Sequence, residues 1–302
     1  MNTSYSTFKT WFWKQVAHFM PKTYIGIRYK NLFHEEISWT NPRNINEKIQ
    51  WLKFNSDTSM WSLLSDKYRV RNYVEEKGLG DILVQLYGKW NKVSDIDWDS
   101  LPQQFVMKVN NGSGDTMICH DKTKIDKDEW CRYFNKKLHT KFGSICAEPH
   151  YDIIKPCIIA EELLDVSQQQ ITSSSLVDYK IWCFNGKPMY IWACHNRTKH
   201  GVEVMTYDLD WHPHPEYSVS KDHYILAKQY IPRPQSLDKM LAAAAKLSEG
   251  FPQVRVDLYE VGGKPYFGEM TFSSMGGLMD FYTADFLNIL GNHTNLPQNS
   301  KN

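Results

Sequence analysis

Apolar positions recur every three to four residues in several stretches. Phe8, Trp11, Phe12, Gln15 and Phe19 step along one side of an N-terminal helix. Residues 44–54 place Ile45, Ile49 and Leu52 on one face. In residues 66–77, Asp66 is the cap, Val70, Tyr73 and Val74 face inward, and Gly78 is the stop. Helices are also expected over 126–138 and 237–251, the latter with Leu237, Met240, Leu241, Ala244 and Leu247 in a stripe. Between them the period shortens to two. DILVQLYGKW, QQFVMKV (103–109) and the apolar run CIIAEELL (157–164) read as strands. Residues 178–195 read as two strands around Asn185-Gly186, and 253–272 as a second hairpin around Gly262-Gly263. Helices mixed with antiparallel hairpins predict an α+β fold. The pattern divides the chain into a helical segment (1–60), a main body (61–291) and a polar, frayed tail (292–302).

Composition narrows the class. The chain has 302 residues, 42% hydrophobic and 14% aromatic, which is globular rather than disordered. A net charge of +1 argues against a nucleic-acid coat, so no nucleic-acid partner is expected. No run of about 18 apolar residues offers a membrane span. Lys14 interrupts Trp11-Phe12-Trp13, so an ordinary signal peptide is not expected. The six cysteines form no CxxC pair and are expected as reduced thiols in a cytoplasmic protein. Residues 1–30 hold Lys9, Lys14, Lys22, Arg28 and Lys30 and no acid. Two readings stay open: a helix packed on the domain, or a basic aromatic helix making peripheral contact with an anionic inner membrane surface.

Four segments carry candidate chemistry. FVMKVNNGSGD delivers Lys108 on a strand and then turns through Asn110, Gly112, Ser113 and Gly114. Glycines let backbone N–H groups approach a phosphate, and the lysine supplies the counter-charge. The lysine precedes the glycines, so this is no Walker A loop; an ordinary turn is the alternative. In the last hairpin, a three-residue loop over 262–264 would place 257 opposite 269 and put Asp257, Glu269 and Thr271 on one face. Two close carboxylates repel unless a cation lies between them, and Mg²⁺ shared with nucleotide phosphates suits them. A two-residue turn would shift that register by one. Arg255 shares the face and could contact a phosphate or neutralise the acids. Asp257 on a solvated hairpin would be dispensable for folding. Glu161 and Glu162 end a buried run, where they could bond a base or ribose or simply open a loop. Asp178 and Lys180 share a face, as a phosphate contact or an ion pair. His150 and His195 read as structural. His212 and His214 of the HPHP segment are expected to lack a partnering acid.

In order and spacing these pieces resemble the ATP-grasp superfamily. More narrowly the chain is similar to the TupA-like ATP-grasp family, named for teichuronopeptide synthesis. NEKIQWLK, DKYRVRNYV, FVMKVNNGSGD, IIAEELL, DYKIWCFNGKP, VRVDLY and YFGEMTF carry the resemblance over residues 46–272. It implies two α+β subdomains clasping ATP, behind an N-terminal helical extension. By position, Lys108 and Lys180 would bind phosphates, with Asn110, Gly112, Ser113, Gly114 and Asp178 around them. The backbone of Glu161, Glu162, Leu163 and Leu164 would take adenine. Asp257, Glu269 and Thr271 would hold Mg²⁺, and Arg255 would stabilise the transferring phosphoryl group, with Lys180 assisting. Many superfamily members carry Asn where this chain has Thr271, which leaves the number of metal ions open. The resemblance implies a carboxylate–amine ligase working through an acyl phosphate. Its substrates would be an amino-acid amine and a glycan carboxylate of a surface polysaccharide. A glycan kinase, or a scaffold with a degenerate nucleotide site, are the rival readings.

Overall fold

The computed structural model describes residues 2–297, with side chains from residue 11 onward. Helices α1 (Asn2–Phe19) and α2 (Pro21–Phe33) open the chain, followed by α3 (Ile45–Asn55), α4 (Ser59–Ser65) and α5 (Val70–Glu76). Asn44 caps α3 by accepting the Glu47 amide. The α5 helix starts four residues later than its pattern suggests. The Asp66 carboxylate takes the amides of Tyr68 and Arg69 in a turn, so regular helix begins only at Val70.

A four-stranded antiparallel sheet follows, built from β1 (Leu86–Trp90), β2 (Phe105–Val109), β3 (Thr116–Cys119) and β4 (Ile158–Glu161), in the order β1-β4-β2-β3. Helix α6 (Lys127–Leu138), capped by Asp126, buries Trp130 and Phe134 against Phe105, Met107, Val109 and Ile158. Between α6 and β4 lies the short helix α7 (Phe142–Cys146).

The second sheet has six strands in the order β10-β9-β5-β6-β7-β8. They are β5 (Asp178–Phe184), β6 (Lys187–Thr198), β7 (Gly201–Tyr207), β8 (Tyr224–Leu226), β9 (Val254–Val261) and β10 (Lys264–Thr271). Only the β7–β8 pair is parallel. Asn185 and Gly186, both at positive φ, make the two-residue β5–β6 turn. Helix α8 (Leu237–Leu247) covers one face with Met240, Ala244 and Leu247. On the opposite face, Trp182, Trp192, Phe281 and Tyr282 pack with Ile45 and Ile49 of α3 and with helix α9 (Ala284–His293).

Two expected boundaries move. Ile45, Ile49 and Leu52 belong to the core of the large sheet, so the helices set apart from it are α1 and α2, not all of residues 1–60. Of the tail expected from Asn292, the described part is packed: α9 runs to His293, Thr294 is buried, Leu296 packs on the core, and Lys48 Nζ donates to the Gly291 and Thr294 carbonyls; residues 298–302 lie outside the described residues. All six cysteines are unpaired thiols. Among the described residues no helix is long and apolar enough to cross a membrane.

Candidate active site

Strands β5, β9 and β10 meet on the face that carries the Trp182–Tyr282 core. Register puts Lys180 opposite Asp257, and Trp182 opposite Arg255. Glu269 also lies opposite Asp257, but not through the expected loop. Gly262 and Gly263 form a two-residue turn, both at positive φ, pairing Val261 with Lys264. A bulge at Gly268 then absorbs one residue and restores the Asp257–Glu269 match. A Cβ at 268 would sit 3.0 Å from the Asp257 carbonyl oxygen, so the bulge needs glycine.

The result is a buried charge cluster. Asp257, 1% exposed, accepts Arg255 Nε at 2.7 Å on one oxygen. Its other oxygen accepts Arg255 Nη2 at 2.7 Å and Lys180 Nζ at 2.6 Å. Lys180 also pairs with Asp178. Arg255 Nη1 donates to Ser274 Oγ at 2.6 Å and Nη2 to Thr271 Oγ1 at 3.2 Å; Thr271 in turn donates to Glu269. Burial alone would raise the Asp257 carboxyl, but Arg255 and Lys180 reverse this and hold it below its ordinary value. Burial alone would lower Lys180 and Arg255, yet their acidic neighbours hold both above theirs. Asp178 is pushed up, chiefly by burial. Asp257 is therefore no solvated hairpin acid; it is central to this face's packing.

The small sheet presents a second set. Lys108 Nζ lies 2.6 Å from Glu161 Oε2, whose other oxygen takes Arg71 Nη1 at 3.0 Å. Two cations thus occupy the Glu161 carboxylate. Its backbone and that of exposed Glu162 continue toward Leu163 and buried Leu164, which packs on Val84 and Val261. Asn110 is spent internally as well. Its amide nitrogen donates to Asp66 and the Lys155 carbonyl, and its oxygen accepts the Cys157 amide. It anchors the base of the glycine loop rather than offering a side chain to a ligand. A Cβ at Gly112 would lie 2.7 Å from Asp115 Oδ2 and displace that carboxylate; Gly114 has φ +74°, which favours glycine, and Ser113 is exposed.

Lys67 links the two sheets and carries a role the sequence pattern did not single out. Its ammonium donates to the Gly112 carbonyl and lies 3.8 Å from Glu269. Burial lowers it from its ordinary value, partly offset by Glu269. Its only signal in the sequence was its place in DKYRVRNYV.

The chain after β10 was also not legible. Met275, Gly276 and Gly277 are consecutive positive-φ residues that turn the chain back onto α3. Gln50 Nε2 and Lys53 Nζ donate to the Gly276 carbonyl at 2.6 and 3.1 Å. Ser273 donates to buried Glu148 and approaches His150 Nε2 at 3.3 Å. Burial, reinforced by Lys53, lowers the imidazole of His150 to about 3, consistent with a structural histidine. His195 lies 3.5 Å from Glu203. The HPHP expectation needs correcting: Asp208 and Asp210 do come to His212, with ligand atoms within 4.8 Å of one another, on an exposed turn. Both acids lie within four residues before His212, so they were present in the local sequence and were missed there.

The donor set suits a divalent cation. Asp257 and Glu269 are paired hard-oxygen donors, and buried Asp178 Oδ1 has no hydrogen-bond partner. Residues 47–295 match the sequence model of the TupA-like ATP-grasp family. The chain belongs to that family. Its α+β architecture is accordingly an ATP-grasp fold. Among solved structures, a D-alanine–D-alanine ligase from Bacillus anthracis complexed with ATP shares 15% identity at a TM-score of 0.40, over 72% of this chain and 56% of that one. A second structure of the Bacillus anthracis ligase gives 16% and 0.45, over 80% and 69%. The Helicobacter pylori D-alanine–D-alanine ligase gives 12% and 0.44, over 85% and 68%. This TupA-like chain thus spans little more than half of the ATP-complexed ligase's length. No curated protein matched the sequence.

Proposed function

We propose that this protein is an ATP-dependent carboxylate–amine ligase. It would join an amino-acid amine to a glycan carboxylate, a uronic acid of a surface polysaccharide or its precursor, through an acyl phosphate. The observation that carries this is the buried Lys180–Asp257–Arg255 cluster with Glu269, bridged by Lys67 to the glycine loop that follows the Lys108 strand. Lys108 and Lys180 would bind ATP phosphates, and the Glu161–Leu164 backbone would take the adenine. Asp257 and Glu269, with the Thr271 hydroxyl beside them, would hold Mg²⁺. When bound, Mg²⁺ would neutralise charge on the phosphoryl oxygens. Arg255 presents a planar donor fork, and its carboxylate and hydroxyl partners hold that fork in place for a transferring phosphoryl group. The Gly112–Gly114 loop would close over an intermediate that water must not reach. The same cations that would meet phosphates neutralise the acids that would meet metal, so loading both together exchanges partners without stranding a charge.

The proposed location is the cytoplasm, with an acceptor carried at the inner membrane surface. The experiment is ATP turnover with Mg²⁺ against a panel of amino acids and uronic-acid glycans, with mass spectrometry of products. An amide with ADP and free phosphate supports ligation. A stable phospho-glycan would instead establish a kinase. Calorimetry showing no metal-dependent ATP binding would establish a scaffold.

A further inference from the structure

The amphipathic pattern of α1 predicts that Trp11, Phe12 and Phe19 face the protein core if the helix is simply packed there. They do the opposite. At 100° per residue, Trp11, Gln15 and Phe19 share one side with Phe12 adjacent. Ala17, on the far side, is the α1 residue that is 2% exposed, packed with Ile25, Tyr29 and Ala147. Trp11, Phe12 and Phe19 are 55%, 47% and 72% exposed, and Met20 and Ile27 continue the apolar surface onto α2. His18, at the edge, bonds Ser144 of α7 and fixes the helix with its aromatic side outward.

The charges that α1 and α2 themselves carry are basic, with Glu36 and Asp152 the acids at the border of this surface. Lys14, Lys22, Arg28 and Lys30 are exposed, and no acid occurs before Glu35. Among the described residues, Lys30 is ion-paired with Glu36, Lys22 lies over the Trp39 ring at 5.8 Å, and Arg28 lies over Tyr24. A second protein surface would need apolar complementarity alone. An acidic, amphipathic boundary meets both properties at once: aromatic rings enter the headgroup level while lysine and arginine stay with anionic headgroups.

We infer that the exposed face of α1 and α2 docks the protein on an anionic lipid surface. The inference deepens the proposed membrane-carried acceptor, yet uses no residue of the ATP site, so its failure and that of the ligase reading are separable.

The test is co-sedimentation of the full chain with vesicles of phosphatidylcholine and phosphatidylglycerol at 3:1, and with phosphatidylcholine alone. Binding is expected to the anionic vesicles, at least tenfold weaker on the neutral ones and at 0.5 M salt. The Trp11→Ser/Phe12→Ser/Phe19→Ser variant should lose it, and Lys14→Glu/Lys22→Glu should weaken it at least tenfold. Both should keep the wild-type thermal unfolding midpoint by circular dichroism, which shows that they are folded whether or not the chain binds ATP. Equal sedimentation of wild type and variants, or none by wild type, overturns the inference. So does gel filtration showing a dimer that the triple variant converts to monomer while wild type ignores vesicles, since the occupant would then be a second copy of the chain.

Discussion

Replacing Asp257 by Asn keeps the shape of a 1%-exposed side chain and removes its charge. Three charge-assisted bonds of 2.6–2.7 Å lose their anion. The new amide nitrogen also faces donors, so one of those bonds becomes a donor–donor clash. Breaking a buried pair by removing one partner costs roughly 3–5 kcal/mol, because a charge is stranded. Here Lys180 keeps Asp178, and Arg255 keeps Ser274, Thr271 and a 3.7 Å approach to Glu269. The cost should therefore fall near the lower bound, about 3 kcal/mol. At roughly 2–4 °C per kcal/mol for a chain somewhat smaller than this, the midpoint drops by about 6–12 °C, toward the lower end for this longer chain. The assay is thermal unfolding followed by circular dichroism, beside ATP–Mg²⁺ titration. Asp257→Asn/Lys180→Met removes one cation with the anion and should recover part of the loss, with a coupling of about 1–3 kcal/mol. An unshifted midpoint for Asp257→Asn, or strict additivity in the double variant, would refute the buried-cluster argument.

Lys108→Ala should weaken ATP binding at least tenfold by calorimetry. It should leave the unfolding midpoint nearly unchanged, because Arg71 still neutralises Glu161. Lys67→Met removes the bridge between Gly112 and Glu269, so the glycine loop should show faster amide exchange and turnover should fall, while the sheets unfold with near-native cooperativity. His150 is neutral in the folded protein down to about pH 3 but binds a proton near 6.5 when unfolded. The unfolded state thus holds more protons between those values, so stability rises with pH across that window and is lost on acidification. At pH 5 the loss is about 2 kcal/mol relative to pH 7. His150→Gln should flatten that limb in urea titrations at pH 5 and 7, and an unchanged slope would remove His150 as its source.

Several features follow from local sequence because local physics decides them. The Asn185-Gly186 turn needs two positive-φ residues, which Asn and Gly tolerate, so the Asp178–Lys180 hairpin was readable from those residues. Asn44 and Asp126 start helices because their side chains satisfy amides three residues on. Strand alternation put Arg255 and Asp257 on one face before any fold was known.

What tertiary structure decided involves partners distant in the chain. The Asp257–Glu269 match rests on a bulge at Gly268 that compensates a shorter turn, and a local hydrophobic pattern does not register that compensation. Glu161 and Asn110 carry polar groups that a motif offers to a ligand, yet Arg71, Lys108, Asp66 and Cys157 reach them first. Lys67 joins the two sheets only because α5 and its preceding turn lie between them. The same limit governs the N-terminal helix. Periodicity determined that α1 has an aromatic side, but which side turns inward depends on the space α2 and α7 leave. That space takes Ala17 and part of Trp13, whose ring meets Tyr24, so Trp11, Phe12 and Phe19 face outward.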